Sequence, residues 1–165
     1  MRPARSTLWL GAALVAVSGG CAGKDFGTSA SHDPLTRFPA AATFNWDEGA
    51  SRVPDDPRLA ALDVQALMRD ALGSAFEARG YSDARGGASS YRLAYQLDVK
   101  TWMGADEQNA IASLGVELSE AASGRKVWSG FARAPIHVGL PDPERRERLR
   151  LVVDDMLKDF PPQQR

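Results

Sequence analysis

The alternation of hydrophobic and polar residues is strictest in the middle of the chain, over residues 91–102. In "YRLAYQLDVKTW", polar or small side chains separate apolar ones at every second position: Tyr91, Leu93, Tyr95, Leu97 and Val99. Such alternation predicts a strand with one buried and one solvated face, as in an antiparallel sheet covered on one side. The pattern recurs less strictly over residues 40–46, 112–118 and 126–134. Together these segments predict four strands.

Two other segments carry apolar residues three and four positions apart, which is typical of helices packed on a core. The first is predicted to run from about Pro57 to Arg79, with Asp56 capping its start and Gly80 ending it. The second lies before Pro161 and carries the apolar stripe Leu149, Val152, Val153, Met156, Leu157 and Phe160.

The predicted order of elements is β-α-β-β-β-α. We expect an α+β fold, a two-layer sandwich in which a four-stranded, mainly antiparallel sheet carries two helices on one face. A chain of 165 residues is long enough to bury the core of one such domain. We assign this domain to residues 38–162, with a short tail at residues 163–165.

The start of the chain has a different pattern. Arg2 and Arg5 give it positive charge, residues 8–17 form an apolar run, and small residues follow up to Cys21. This is the organisation of a secretory signal peptide, and the run is too short to span a bilayer as a stable anchor. We therefore predict a signal peptide over residues 1–20.

Cys21 is the only cysteine in the chain. Small residues directly before a cysteine resemble the lipobox of bacterial lipoproteins, and the resemblance implies that Cys21 is acylated. Ala22 after it resembles the signal for sorting to the outer membrane, so we expect a lipid-anchored protein on its periplasmic face. The alternative is a cleaved signal with an incidental cysteine, but an unpaired thiol is a liability in an oxidising compartment. Residues 21–37 are small and polar, and they predict a flexible tether behind the anchor.

Charge and candidate chemistry exclude several classes of function. The net charge of -1 creates no overall field that would attract nucleic acid. His32 and His137, the only histidines, lie in separate predicted loops, so we expect no metal site and no cofactor. Asp55 and Asp56 are adjacent and point apart, and residues 104–109 lack the spacing of a calcium loop. No spacing suggests a converging serine, histidine and acid, so we expect that the protein is not an enzyme.

Trp128 is one candidate for contact with a ligand or partner. The pattern of the last strand places it on the opposite face from Val127 and Phe131, and the small neighbours Ser129 and Gly130 would leave room for an accessible ring. The alternative is that the ring packs in the core, as aromatic residues in strands commonly do.

Arg145 and Arg146 are the other two candidates. They belong to "ERRERLR", residues 144–150, at the start of the last predicted helix. On a membrane-tethered protein such a cluster suits lipid phosphates or an acidic partner. A solvated helix face is the alternative, because acidic residues interrupt the run.

Several landmarks occur together along the predicted domain. They are Phe44-Asn45-Trp46, Gly80-Tyr81, the alternating strand from Tyr91, "SGRKVWSG" over residues 123–130, and Phe160-Pro161-Pro162. This ordered set resembles the bacterial lipoprotein family described as domain of unknown function 4136. The resemblance implies a periplasmic or outer-membrane lipoprotein, and it implies no chemistry.

Two hypotheses of function follow. The first is a non-enzymatic, lipid-anchored protein of the cell envelope that binds a partner protein in the periplasm. The alternative is a module that binds a lipid, a glycolipid or a cell-wall fragment, through the solvated sheet face or a cleft between sheet and helices. The second hypothesis requires a concave apolar pocket.

Overall fold

The computed structural model describes residues 25–59, 62–101, 110–137 and 139–162. The signal peptide, Cys21, the turn at residues 104–109 and the tail lie outside the described residues, so the expectations for them stay predictions. The described elements are β1 (Gly27–His32), β2 (Ala42–Trp46), α1 (Val64–Glu77), β3 (Tyr81–Asp83), β4 (Tyr91–Thr101), β5 (Ala110–Glu120), β6 (Lys126–Pro135) and α2 (Asp142–Met156). In this part of the chain neither helix has the length and hydropathy needed to cross a bilayer.

The six strands form one mixed sheet in the order β1-β6-β5-β4-β2-β3. Strands β1, β6, β5 and β4 pair antiparallel, whereas β2 is parallel to both β4 and β3. Helix α1 connects β2 to β3, as a parallel pair requires a crossover connection. The α+β class is confirmed. The expectation of four strands is wrong, because the sheet has two further strands, β1 and β3, at its edges. Strand β3 has only three residues and β1 is made of small and polar ones, so neither shows the alternation that reveals a half-buried strand.

Strand β1 corrects the expectation that the whole of residues 21–37 is a flexible tether. It pairs with β6 over its full length, from Gly27 opposite Arg133 to His32 opposite Trp128. The hydroxyl of Thr28 also donates a hydrogen bond of 2.6 Å to Asp155 on α2. Backbone pairing with β6, rather than side-chain burial, therefore orders this segment.

A β-bulge in β6 changes which of its side chains face the core. Trp128 pairs with Leu118, but the next residue of β5 pairs with Lys126, so Val127 is the extra residue. Both Val127 and Trp128 are consequently buried, and Phe131 is 43% exposed on the outer face of the sheet. The expected grouping of Val127 with Phe131 is wrong, because simple alternation does not hold across a bulge.

Helix α1 begins later than its sequence pattern suggests. The side chain of Asp63 caps it by accepting a hydrogen bond of 3.0 Å from the backbone N–H of Ala66. Asp56 is not the cap: its backbone carbonyl accepts from the N–H of Leu59 in a separate turn, and its carboxylate binds Arg58. The buried stripe of the helix begins at Val64, which is why the helix starts there.

The core lies between the inner face of the sheet and the two helices. At the end of the sheet where β4 begins, four aromatic rings fill this layer: Phe160 lies 5.1 Å from Phe76, 5.1 Å from Tyr81 and 5.2 Å from Trp128 between ring centroids. We call this the filled end. Phe160 follows α2 and precedes a cis peptide bond to Pro161.

Candidate functional site

The opposite end of the same layer is open. Three of the four inner-face positions of β5 and β6 there are alanines, with Ala112 opposite Ala134 and Leu114 opposite Ala132. These small side chains leave space open between the sheet and the helices. At the other end of the domain, aromatic rings fill the same layer. The result is a cleft with a volume of about 160 Å³.

Hydrocarbon makes up most of the cleft wall. Helix α1, strands β4 to β6, helix α2 and the loops beside them contribute the apolar lining: Leu59, Leu62, Val64, Leu67, Met68, Leu97, Ala112, Leu114, Ala132, Ala134, Pro135, Ile136, Leu140, Leu149 and Val152. A wall of this kind attracts apolar groups, since it offers them burial away from water.

Within the described residues, the titratable side chains that line the cleft are three arginines and a histidine: Arg58, Arg145, Arg148 and His137. All four are partly exposed: the side chains of Arg58, Arg148 and His137 are 22%, 24% and 44% accessible, and Arg145 has intermediate exposure. They therefore stand at the mouth of the cleft, where hydrocarbon wall meets water.

Asp56 holds one of these cations in place. Its Oδ1 atom accepts hydrogen bonds from the Arg58 backbone N–H, at 2.9 Å, and from Arg58 Nε, at 2.8 Å. The hydrogen bond from the Arg58 guanidinium, together with the one from the Arg58 backbone N–H, lowers the pKa of Asp56 from 3.8 to about 2. The carboxylate is thus charged at neutral pH and fixes the cation beside the mouth.

Asp25 binds two further groups at the mouth. Its Oδ2 atom accepts a hydrogen bond from the guanidinium of Arg148 and lies 3.2 Å from Nε2 of His137. The hydrogen bond from Arg148 is the main reason that the pKa of Asp25 lies below its usual value, with a further contribution from His137. A carboxylate of the chain itself therefore occupies an anion-binding position at the cleft mouth.

The two arginines expected as contact residues have different environments. Arg145 lines the cleft, and its Nε donates a hydrogen bond of 2.7 Å to the carbonyl of Leu140. Arg146 is exposed and does not line the cleft. Arg148, which belongs to the same charge cluster but was not one of the expected contact residues, lines the cleft with Arg145. Residues 145, 148, 149 and 152 are spaced as one helix face, so extending the apolar stripe of α2 backwards would have found both cations.

Trp128 does not lie at this site. It is 2% exposed, with its ring in the core at the filled end. Gly130 accommodates that ring inside the domain instead of exposing it, because the ring and Met156 fill the space that a side chain at residue 130 would take. The expected accessible ring is therefore not found.

The two histidines lie apart. His32 is opposite Trp128 near the start of β6, and His137 follows the end of the same strand. Within the described residues no three histidine, cysteine or acidic side chains are placed to share a metal ion.

A family model described as "Domain of unknown function (DUF4136)" matches residues 28–162. The chain belongs to this family. No curated protein matches the sequence. The family description carries no function, so the geometry of the domain has to supply one.

Two solved structures are similar to the fold. One is the PelC dodecamer from Paraburkholderia phytofirmans, with 11% identity, a TM-score of 0.54, and coverage of 80% of this chain and 94% of that one. The other is a PDZ domain protein from Parabacteroides distasonis, with 14% identity, a TM-score of 0.53, and coverage of 84% of this chain and 36% of that one. At these identities the likeness concerns the fold alone.

The landmarks that resemble the DUF4136 family have structural roles away from the cleft. Asn45 donates to the carbonyl of Gly87 at 2.7 Å and accepts from the N–H of Gly86 at 2.9 Å, which fixes the loop before β4. Gly80 has a φ of +87°, and a Cβ atom there would lie 2.5 Å from the carbonyl oxygen of Ala40. These residues explain how the family fold is built, and the cleft is a separate feature.

Proposed function

We propose that this domain is a non-enzymatic binding module that holds the apolar chain of a lipid or glycolipid in the cleft. The single observation that carries the proposal is the open space of about 160 Å³, walled by hydrocarbon, between the sheet and both helices. An engineered apolar cavity of roughly this volume (about 150 Å³) in another protein binds benzene. The cleft thus has room for a short stretch of hydrocarbon, and a longer chain would extend through the mouth.

We further propose that the protein is a lipoprotein of the bacterial outer membrane, anchored through acyl chains on Cys21 and facing the periplasm. The small residues before Cys21 and the apolar run before them support this proposal. Mass spectrometry of the mature protein from its own membranes tests it. An acylated cysteine at the new N-terminus supports the anchor, and an unmodified thiol overturns it.

A binding role, rather than a catalytic one, fits the chemistry of this site. The titratable groups of the described cleft lining are three guanidiniums and one imidazole, and most of its wall is hydrocarbon. General acid–base work in such a cleft would require a proton donor and acceptor held together on the substrate. The described lining instead combines apolar surface with positive charge, which is the chemistry of recognition.

Titration of octan-1-ol into the mature chain carrying Cys21→Ser tests the binding module. This variant lacks acyl chains and needs no detergent. Saturable heat in calorimetry is expected, and Ala134→Leu is expected to abolish it because the added side chain fills the cleft. Ala122→Leu, in the exposed turn between β5 and β6, is the matched control and should leave the binding unchanged. Binding that survives Ala134→Leu in a folded variant, or no binding at all, overturns the proposal.

Binding of a partner protein is a second candidate, and the edge strand β1 favours it. The sheet ends at β1, and every residue of this strand except Thr28 is exposed. An open edge of this kind is a template for pairing with a strand of another chain. PelC, which has a similar fold, is described as a dodecamer. Native mass spectrometry of the protein gently extracted from membranes tests this candidate: a complex that Ala30→Lys dissociates supports it, and a complex insensitive to that change, or a monomer, overturns it.

A further inference from the structure

We infer that the ligand of the cleft is a single-chain amphiphile with an anionic head, whose chain lies in the cleft and whose head binds Arg145 and Arg148. This inference rests on the proposed function and specifies its ligand class. Three observations carry it: the sign of the charges at the mouth, their position above the apolar wall, and the carboxylate already bound there.

The sign of the charges comes first. Among the described residues, the cleft lining holds three guanidiniums, those of Arg58, Arg145 and Arg148, and no carboxylate. Asp56 and Asp25 bind Arg58 and Arg148 from outside this lining. A head with a negative charge is attracted to such a mouth, and a cationic head is repelled.

The position of the cations fits the shape of an amphiphile. On α2, Arg145 and Arg148 lie one turn before Leu149 and Val152, and all four line the cleft. Along this helix face, guanidinium groups are followed by hydrocarbon side chains. In an amphiphile, the polar head is followed by the hydrocarbon chain in the same order. The carbonyl of Leu140 holds the guanidinium of Arg145 in a fixed orientation, which reduces the entropic cost of binding a head there.

The carboxylate of Asp25 shows that the mouth binds an anion. It contacts Arg148 and His137 from the chain itself, in the position that the head of a ligand would take. Asp25 is 45% exposed, so a ligand can displace it into water. We therefore treat Asp25 as an internal competitor for the head.

Asp25 lies close in sequence to Cys21, the proposed lipid anchor, so the cleft mouth would lie near the bilayer surface. Only three residues lie between Cys21 and Asp25, and the four residue steps from one to the other span at most about 14 Å. Acylation of Cys21 would hold the mouth within this distance of the bilayer surface, where anionic amphiphiles are present. The cleft volume of about 160 Å³ has room for part of one hydrocarbon chain, which favours single-chain amphiphiles over lipids with two chains.

Calorimetry with four probes of equal chain length tests the inference. The probes are octanoate, octyl phosphate, octan-1-ol and octyltrimethylammonium, added to the mature chain with Cys21→Ser. We expect both acids to bind about tenfold more tightly than octan-1-ol, because a charge-assisted contact at the mouth adds to chain burial. The cation should bind most weakly. Whichever acid binds more tightly identifies the head as a carboxylate or a phosphate.

Substitutions at the mouth separate head recognition from chain burial. Arg145→Gln and Arg148→Gln should each weaken octanoate binding about fivefold and leave octan-1-ol unchanged. Arg146→Gln, on the same helix but outside the cleft, is the matched control. Asp25→Asn should instead strengthen octanoate binding, by about as much, because it removes the competing carboxylate. Thermal unfolding of each variant confirms that it is folded.

The outcomes distinguish this inference from the proposed function. If octan-1-ol and the acids bind equally, or if the arginine variants bind octanoate as the unsubstituted chain does, the anionic ligand class is overturned while the apolar module stands. If none of the four probes binds, the proposed function fails, and the inference fails with it.

Discussion

Gly130 lies directly beneath the ring of Trp128, and a Cβ atom at residue 130 would be 2.5 Å from Cη2 of that ring. The same Cβ would lie 2.7 Å from Cγ and Sδ of Met156 on α2. Glycine at this position thus allows the largest side chain of the core to pack between the sheet and α2. This contact closes the filled end of the domain and leaves the opposite end as the open one.

Alanine at residue 130 should therefore destabilise the fold by overpacking. We expect Gly130→Ala to lower the free energy of unfolding by about 1–3 kcal/mol in urea denaturation. Gly115→Ala is the matched control on the neighbouring strand, where the nearest atom to a new Cβ is a carbonyl oxygen at 3.9 Å. It should be neutral or slightly stabilising. Equal losses in the two variants would contradict the packing described for Trp128.

All three tyrosines of the chain should resist ionisation in the folded protein. Burial raises the pKa of Tyr81 to about 12, and it also raises the pKa of Tyr91 and Tyr95. A group whose pKa is raised by folding stabilises the protein below its unfolded pKa, near 10, and this contribution is lost as the pH rises towards 12. Tyrosinate absorbance should therefore stay low at pH 10 and rise only as the protein unfolds. Ordinary titration of any tyrosine in the folded state would contradict the burial.

Asp56 should titrate well below an ordinary aspartate because of Arg58. Its pKa of about 2 in the folded state is lower than the usual 3.8, so its contribution to stability is full above pH 4 and is lost as the pH falls towards 2. Carboxyl carbon shifts in NMR measure this pKa directly. Arg58→Gln should raise this pKa towards 3.8, although the backbone N–H of residue 58 still donates to the carboxylate. An unchanged value in that variant would show that another group lowers it.

Asp63, and not Asp56, should behave as the N-cap of α1. Removing the capping oxygen leaves the N–H of Ala66 without its partner, so Asp63→Ala should reduce the free energy of unfolding by about 1 kcal/mol. Circular dichroism during urea denaturation measures this loss. Asp56→Ala is the comparison, since it removes the ion pair with Arg58 and leaves the helix start intact. A larger loss of helical signal in Asp56→Ala would contradict the assigned cap.

Much of the fold follows from patterns within single segments. Strands β2, β4, β5 and β6 and both helices were predictable because each buries one face, and burial leaves a periodic trace in the sequence. Strands β1 and β3 left no such trace, since backbone pairing at a sheet edge requires no buried side chains. The bulge at Val127 was equally invisible, because one extra residue shifts every later side chain of β6 to the other face.

The candidate site was less predictable than the fold. Ala112, Ala132 and Ala134 are ordinary strand residues until the register of β5 and β6 places them together beneath the helices. Arg145 was a candidate from its charge cluster, whereas Arg58 and Asp25 reach the mouth through contacts between distant segments. Only the tertiary structure shows that small inner-face residues and distant cations define one cleft.

The central claim is that an apolar chain binds in the cleft between the sheet and the helices. Intermolecular nuclear Overhauser effects from octan-1-ol to labelled methyl groups test it most directly. We predict contacts with the methyl groups of Leu97, Leu114 and Val152, which line the cleft from three different elements. Contacts confined to the outer face of the sheet, around Phe131, or an absence of any contact at saturating octan-1-ol, would contradict the account.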